Sequence, residues 1–221
     1  MMPIPRTDQP STSLEVPLSL TLRTSVNNQL AANRLRCVIK KHRATKLHYD
    51  FRLRFGRTLL SWVLEDGPSD RPGEPRVAIR VHDHAPRYMI SERVIPPGEY
   101  GAGPVMLWDE GTLILLPGCE NVQECLKNGC LRFTLECHKL KGKWTFRRRS
   151  KTHPGGVGEL WELTKDADEF ARGEGEPDIL IDAPNSVSTG RTLDEIEQDG
   201  NRGATKVPLV DQLLLIFTFE P

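Results

Sequence analysis

The stretch His48-Tyr49-Asp50-Phe51-Arg52-Leu53-Arg54-Phe55 alternates without a break. His48, Asp50, Arg52 and Arg54 fall on one side, and Tyr49, Phe51, Leu53 and Phe55 on the other. A period of two is the signature of a strand with one apolar face. Downstream, Gly56-Arg57 is a hairpin-like break before a second strand at Leu59–Leu64. Arg76–His84 alternates again, with Val77, Ile79 and Val81 expected on the apolar face and Arg76, Arg80, His82 and His84 opposite. Further strands are expected at Val105–Trp108, Thr112–Leu116, Cys130–Leu135, Lys143–Arg148 and Glu159–Thr164. Many short strands, with a turn signal every ten or so residues, predict a mainly β sandwich or barrel. Helical signals are few: Asn121–Asn128, Asp166–Arg172, and Thr192–Gln198, which opens on the capping-box pair Thr192 and Glu195.

Residues 1–33, with Pro3, Pro5, Pro10 and a Ser/Thr cluster, read as an irregular N-terminal extension. Residues 34–198 are expected to form the domain. Residues 199–221 read as a C-terminal tail that is linker-like at Gly200, Gly203 and Pro208 and apolar from Leu213 to Phe219. The N-terminus lacks a basic start followed by an apolar stretch, which predicts no signal peptide. No apolar run approaches the roughly 20 residues of a membrane helix, so a soluble cytoplasmic protein is expected. The five cysteines, Cys37, Cys119, Cys125, Cys130 and Cys137, form no CxxC pair and read as reduced core thiols.

The 30 Lys+Arg and 30 Asp+Glu of this 221-residue chain cancel, which excludes a uniformly basic nucleic-acid coat. The cancellation hides segregation. Arg34–Arg57 holds nine basic residues against one acid, and Glu159–Asp199 holds thirteen acids against three bases. A further basic cluster runs from Lys139 to Lys151.

The polar sides of the two alternating strands carry the candidate chemistry. His48 and Asp50 are two apart on a strand and point the same way. With the nearby His42 they offer two nitrogens and one oxygen, a set that suits a catalytic Mn, Fe or Zn with open positions. Arg52 and Arg76 supply planar forks that match phosphate oxygens. His84 is placed to donate to a phosphate or protonate a leaving oxygen. Together these are parts for metal-assisted phosphoester cleavage. The plainer reading of the same residues is a solvated strand face with isolated histidines.

The run Lys41-His42-Arg43-Ala44-Thr45-Lys46-Leu47-His48-Tyr49-Asp50-Phe51-Arg52-Leu53 closely resembles the opening motif of the 3′-phosphoesterase domain of bacterial DNA ligase D. The resemblance continues through Ser61-Trp62-Val63, Gly67-Pro68-Ser69, Asp83-His84-Ala85-Pro86 with Tyr88, and Ile95-Pro96-Pro97-Gly98-Glu99-Tyr100-Gly101-Ala102-Gly103. It resumes at Trp108-Asp109 and Leu140-Lys141-Gly142-Lys143-Trp144 and ends near Ser188–Ile196, covering about residues 37–197. It implies a compact closed or nearly closed β-barrel with a few short helices and an active-site crescent on its surface. It implies Mn²⁺-dependent phosphodiesterase and phosphomonoesterase activity that trims a terminal ribonucleoside and then a 3′-phosphate during end joining. Carried over by position, His42, His48 and Asp50 would hold the metal, while Arg52, Arg76, His84 and Tyr88 would hold and polarise the phosphate. Residue spacing alone leaves Zn²⁺ open as the metal. The implied partners are DNA or RNA-tipped DNA 3′ ends and a separate DNA ligase or end-joining factor, with no membrane. The implied compartment is the bacterial nucleoid.

Three departures from the family pattern stand out. Asp66 replaces a usual lysine, His82 replaces a usual glutamate, and the family's charged N-terminal arm has no counterpart in residues 1–33. An acid near an anionic substrate weakens its binding, and an imidazole can donate where a carboxylate only accepts. These changes favour a competing expectation, a degenerate module that binds DNA ends or a repair partner without cutting. A third expectation keeps the phosphatase chemistry on a small phosphate ester.

Overall fold

The computed structural model describes residues 33–89, 91–152 and 158–202; most of the expected N-terminal extension and the apolar run Leu213–Phe219 lie outside them. The first strand, β1 (Arg34–Arg43), forms a hairpin with β2 (Leu47–Phe55), which pairs with β3 (Thr58–Leu64) and then β4 (Arg76–His84). The sheet continues from β4 to β9 (Glu159–Lys165), β8 (Lys141–Ser150), β7 (Cys130–Cys137) and β6 (Gly103–Leu115). Pairing of β6 with β1 closes this series into an eight-stranded antiparallel barrel. The short β5 (Arg93–Ile95) adds to β6 outside the ring. Closure removes the open sheet edges that would otherwise invite aggregation.

The closing seam depends on one glycine. Gly103 has φ +132°, and a Cβ built on it would lie 2.0 Å from the Arg43 carbonyl oxygen. Only a residue without a side chain lets β6 approach the end of β1 this closely.

Alternation in β2 sends Tyr49, Phe51 and Leu53 into the barrel, as the sequence predicts, where they meet Trp62, Phe133, Phe146 and Trp161. The Trp62 and Phe146 rings stack with centroids 4.6 Å apart. Complete burial of such rings supplies the main apolar stabilisation of the fold.

The expected face of β4 is corrected. Ala78 is the buried residue that joins the core, whereas Val77 is 44% exposed. Arg80 shares the side of Ala78 and lies over the Trp62 ring, 4.9 Å from its centroid. The cause is a bulge: Ser61 pairs with Val81, but Leu59 pairs with His84, so β4 carries an extra residue between them. Beyond it the alternation reverses and His84 turns to the outer face, opposite Leu59.

Other expectations need smaller corrections. The strands expected at Val105–Trp108 and Thr112–Leu116 are one continuous β6. Asp166–Arg172 is not helical, because the Asp168 carboxylate accepts from the backbone N–H groups of Lys143 and Phe170 and pairs with the buried Lys165. Such a side chain competes with helical bonding. Among the described residues the α-helices are α1 (Val122–Asn128), α2 (Ile179–Asp182) and α3 (Leu193–Arg202). The capping box of α3 forms: Thr192 N donates to Glu195 Oε2 at 2.7 Å, and Glu195 N to Thr192 Oγ1 at 3.2 Å. This helix runs on to Arg202, past residue 198, with Leu193 and Ile196 buried against the barrel. All five cysteines are free, and all but Cys130 are buried. Among the described residues no helix is long and apolar enough to cross a membrane.

Candidate active site

The outer face of the β1–β2–β3 ladder carries a continuous polar group. His42 pairs with His48, Lys40 with Asp50, and Val38 with Arg52. Their side chains share one side of the sheet because the period is two on both strands. The ligand atoms of His42, His48 and Asp50 all lie within 4.8 Å of one another, and the two imidazole centroids are 4.7 Å apart.

Backbone carbonyls orient both rings. His42 Nε2 donates to Gly101 O at 2.8 Å, and His48 Nδ1 donates to Lys46 O at 3.0 Å. A carbonyl only accepts, so the bonded nitrogen of each ring carries the proton. That leaves the lone pairs on His42 Nδ1 and His48 Nε2, and His48 Nε2 lies 3.9 Å from Asp50 Oδ1. Burial lowers the pKa of His42 against the opposing pull of the Gly101 carbonyl, which favours the neutral ring that a metal needs. Two oriented lone pairs and a carboxylate fit a divalent cation, each ring held from behind by a carbonyl.

Arg52 adjoins this triad. Its Nη2 donates to Asp50 Oδ2 at 3.0 Å, while its buried Nε has no partner among the described residues. A guanidinium so placed holds the carboxylate with one arm and has a donor left for an anion. His84 completes the row. Ser61 Oγ donates its single hydrogen to Leu59 O at 3.0 Å, so its 2.9 Å contact with His84 Nδ1 is one in which the imidazole donates. His84 Nε2 is thereby the free nitrogen, and burial, helped by the Arg52 charge, lowers its pKa. Tyr88 sits on the 3₁₀ turn Pro86–Tyr88, its ring centroid 6.4 Å from that of His84. The guanidinium carbons of Arg87 and Arg93 lie 5.0 and 5.5 Å from the Tyr88 centroid. The adjoining Met89 buries with Val38, Leu59 and Leu107 in a small apolar cluster that fixes this turn on the outer face.

The remaining expected residues stand apart. Arg76 lies on the inward side of β4, at the barrel end, 3.6 Å from Glu74 Oε2 and 3.8 Å from Asp178 Oδ2. His82 is exposed at the bulge, and Asp66 is exposed in the turn after β3. Sequence reasoning missed two members of the site. Lys40 is 2% exposed and donates to Ser91 O and Ser91 Oγ at 3.0 and 3.2 Å. Burial first, and the Arg52 charge second, lower its pKa to about 7. Its place opposite Asp50, two residues from His42, was a usable signal that the basic run around it obscured. Gly101 was legible as a turn glycine, but not as the carbonyl that orients His42.

The outer-face triad, the arginine beside it and all the barrel strands but β9, wholly or in part, fall within the segment that matches the DNA Ligase D 3′-phosphoesterase domain, residues 40–148. The chain carries a DNA ligase D 3′-phosphoesterase domain. It is 41% identical over 159 residues to the multifunctional non-homologous end joining protein LigD of Pseudomonas aeruginosa, a match covering 72% of this chain and 18% of that relative. It is 44% identical over 75 residues to the multifunctional non-homologous end joining DNA repair protein LigD of Mycobacterium tuberculosis, covering 34% of this chain and 10% of that protein. The LigD of Mycolicibacterium smegmatis is 39% identical over a segment of 75 residues. The chain thus spans less than a fifth of the length of these LigD relatives.

Proposed function

We propose that this phosphoesterase domain removes 3′-terminal phosphate and ribonucleoside groups from DNA ends, with a divalent cation held by His42 Nδ1, His48 Nε2 and Asp50. Mn²⁺ is the favoured ion and Zn²⁺ the alternative. When bound, such a cation supplies Lewis-acid polarisation of the phosphoester and an activated water.

The residues of the chain divide the other tasks. Arg52 holds the Asp50 carboxylate and directs its unpartnered Nε toward a phosphate oxygen. His84, oriented through Nδ1 by Ser61, acts with Nε2 protonated, donating to a phosphate oxygen or passing that proton to the leaving oxygen. An anionic phosphate at Arg52 favours that protonated form, against the effect of burial. Tyr88 presents its hydroxyl beside His84 on a turn pinned by Met89. Arg76 lies beside Glu74 Oε2 and Asp178 Oδ2, and its buried Nε is likewise without a partner among the described residues.

The single observation that carries the proposal is the buried Nε of Arg52, left without a partner directly beside three metal-ligand atoms. The test is a primer–template ending in a 3′-phosphate, and another ending in one ribonucleotide, each incubated with Mn²⁺. Release of inorganic phosphate or of the terminal ribonucleoside is expected. A folded protein that yields neither product sinks the enzyme reading.

The exposed Asp66 and His82 favour a second reading, a module that binds ends without cutting. The same assay separates the two, because end binding without turnover is its signature. Activity on a small phosphate ester that unlabelled DNA ends fail to inhibit would instead indicate a small-molecule phosphatase. In the end-processing reading the partner is a separate ligase or end-joining factor that seals the trimmed end in the bacterial nucleoid.

A further inference from the structure

Among the described residues, five large apolar side chains stand in solvent: Leu47, Val77, Tyr100, Phe170 and Ile181. Two of them are chain neighbours of residues that build the triad. Leu47 immediately precedes His48, and Tyr100 immediately precedes Gly101, whose carbonyl accepts from His42. Tyr100 is the more extreme, at 104% of its reference exposure. Its ring therefore packs against no part of the barrel.

The backbone beneath that ring is braced. Glu99 N donates to Pro96 O at 3.2 Å, and Ala102 N donates to Glu99 O at 3.1 Å. Gly98 and Gly101 take φ +91° and +76° on either side, and Gly101 O is tied to His42 at 2.8 Å. An aromatic ring held in water by a braced turn gains only when something covers it. Consecutive Cα atoms lie about 3.8 Å apart, so the ring stands one residue from the backbone group that orients a metal ligand.

We propose that Tyr100 is the stacking platform for the nucleobase at the 3′ end being processed. The inference rests on the DNA-end reading above. A nucleobase is the favoured occupant because Lys46 and Arg52, on either side of His48 and Asp50 along the chain, suit the phosphate backbone that carries it. Every base offers a π-face to an aromatic ring, so Tyr100 contributes affinity without preference among the four bases.

The test is a two-by-two comparison of kcat/KM. One axis is the wild-type protein against Tyr100→Ala, and the other is a 3′-phosphorylated primer–template with an intact or an abasic terminal nucleoside. Tyr100→Ala lowers kcat/KM on the intact end by roughly tenfold, the loss residing in KM, and Tyr100→Phe restores it. The abasic end costs the wild type a similar factor, and Tyr100→Ala on the abasic end falls no further, because ring and base act through one contact. Losses that simply multiply, or no loss in Tyr100→Ala on the intact end, overturn the assignment while the wild type still turns over. Absence of turnover by the wild type on the intact end overturns the end-processing reading and takes the stacking role with it.

Discussion

Arg52 Nη2 donates to Asp50 Oδ2 at 3.0 Å, two residues apart on one strand and facing the same side. This pair joins the two halves of the site, because the carboxylate belongs to the triad and the guanidinium has its Nε to spare. Replacing Arg52 with lysine keeps the charge and removes the fork. We expect kcat/KM on a 3′-phosphorylated end to fall by about 10²-fold. Mn²⁺ affinity, followed by titration, should change far less. A variant with unaltered kcat/KM would remove Arg52 from phosphate handling.

Gly101 combines φ +76° with close approach to His42: a Cβ there would lie 3.3 Å from His42 Cε1. Gly101→Ala should strain the turn and tilt the imidazole. Loss of such outer support typically costs 10–100-fold in metal affinity, roughly the effect expected here. A Mn²⁺ titration of wild type and variant checks it, with circular dichroism showing that the barrel persists.

Ser61 touches neither metal nor phosphate in this account; it positions His84 through the 2.9 Å contact with Nδ1. Ser61→Ala should lower kcat by about tenfold and leave KM nearly unchanged. It should also shift the pH profile of kcat, since the hydroxyl that accepts from the imidazole is gone. Equal falls in thermal stability and activity, with no change in the pH profile, would reduce Ser61 to a structural role.

Lys139 gives a pH signature away from the site. Its Nζ lies over the Trp108 ring and donates to Ala183 O and Asn185 O. Burial lowers its pKa to about 8, against the opposing pull of Asp109. The unfolded chain, with an ordinary lysine, binds more protons between that value and about 10.5. Stability from this group therefore rises as pH climbs through the window. Denaturant unfolding at pH 8 and pH 10 should show the increment in wild type and a flatter response in Lys139→Met.

Much of this arrangement was legible in the sequence because alternation is local. The run from His48 to Phe55 assigned both faces of β2, and with them His48, Asp50 and Arg52. The resemblance supplied Tyr88, which no spacing argument would have chosen. What escaped is set by tertiary pairing. The extra residue in β4 is invisible without its partner β3, so Val77, Ile79 and Val81 read as the inward face when Ala78 is the core residue. The same bulge puts His84 beside Ser61 and leaves Arg76 among Glu74 and Asp178 at the barrel end. Lys40 read as one charge in a basic run, since only the closed barrel and the Ser91 backbone bury it. Asp166–Arg172 looked helical because nothing local reveals that Asp168 is claimed by Lys165 and two backbone amides.

Phosphate release tests whether His42, His48 and Asp50 form a metal-dependent phosphoesterase centre. Phosphate release from a 3′-phosphorylated primer–template is followed against Mn²⁺ concentration for wild type and His48→Ala, alongside direct Mn²⁺ binding. The account predicts saturable, Mn²⁺-dependent release by wild type. It predicts loss of both release and tight Mn²⁺ binding in a folded His48→Ala. Full release by His48→Ala, or release by wild type that ignores Mn²⁺ and survives chelation, would contradict it.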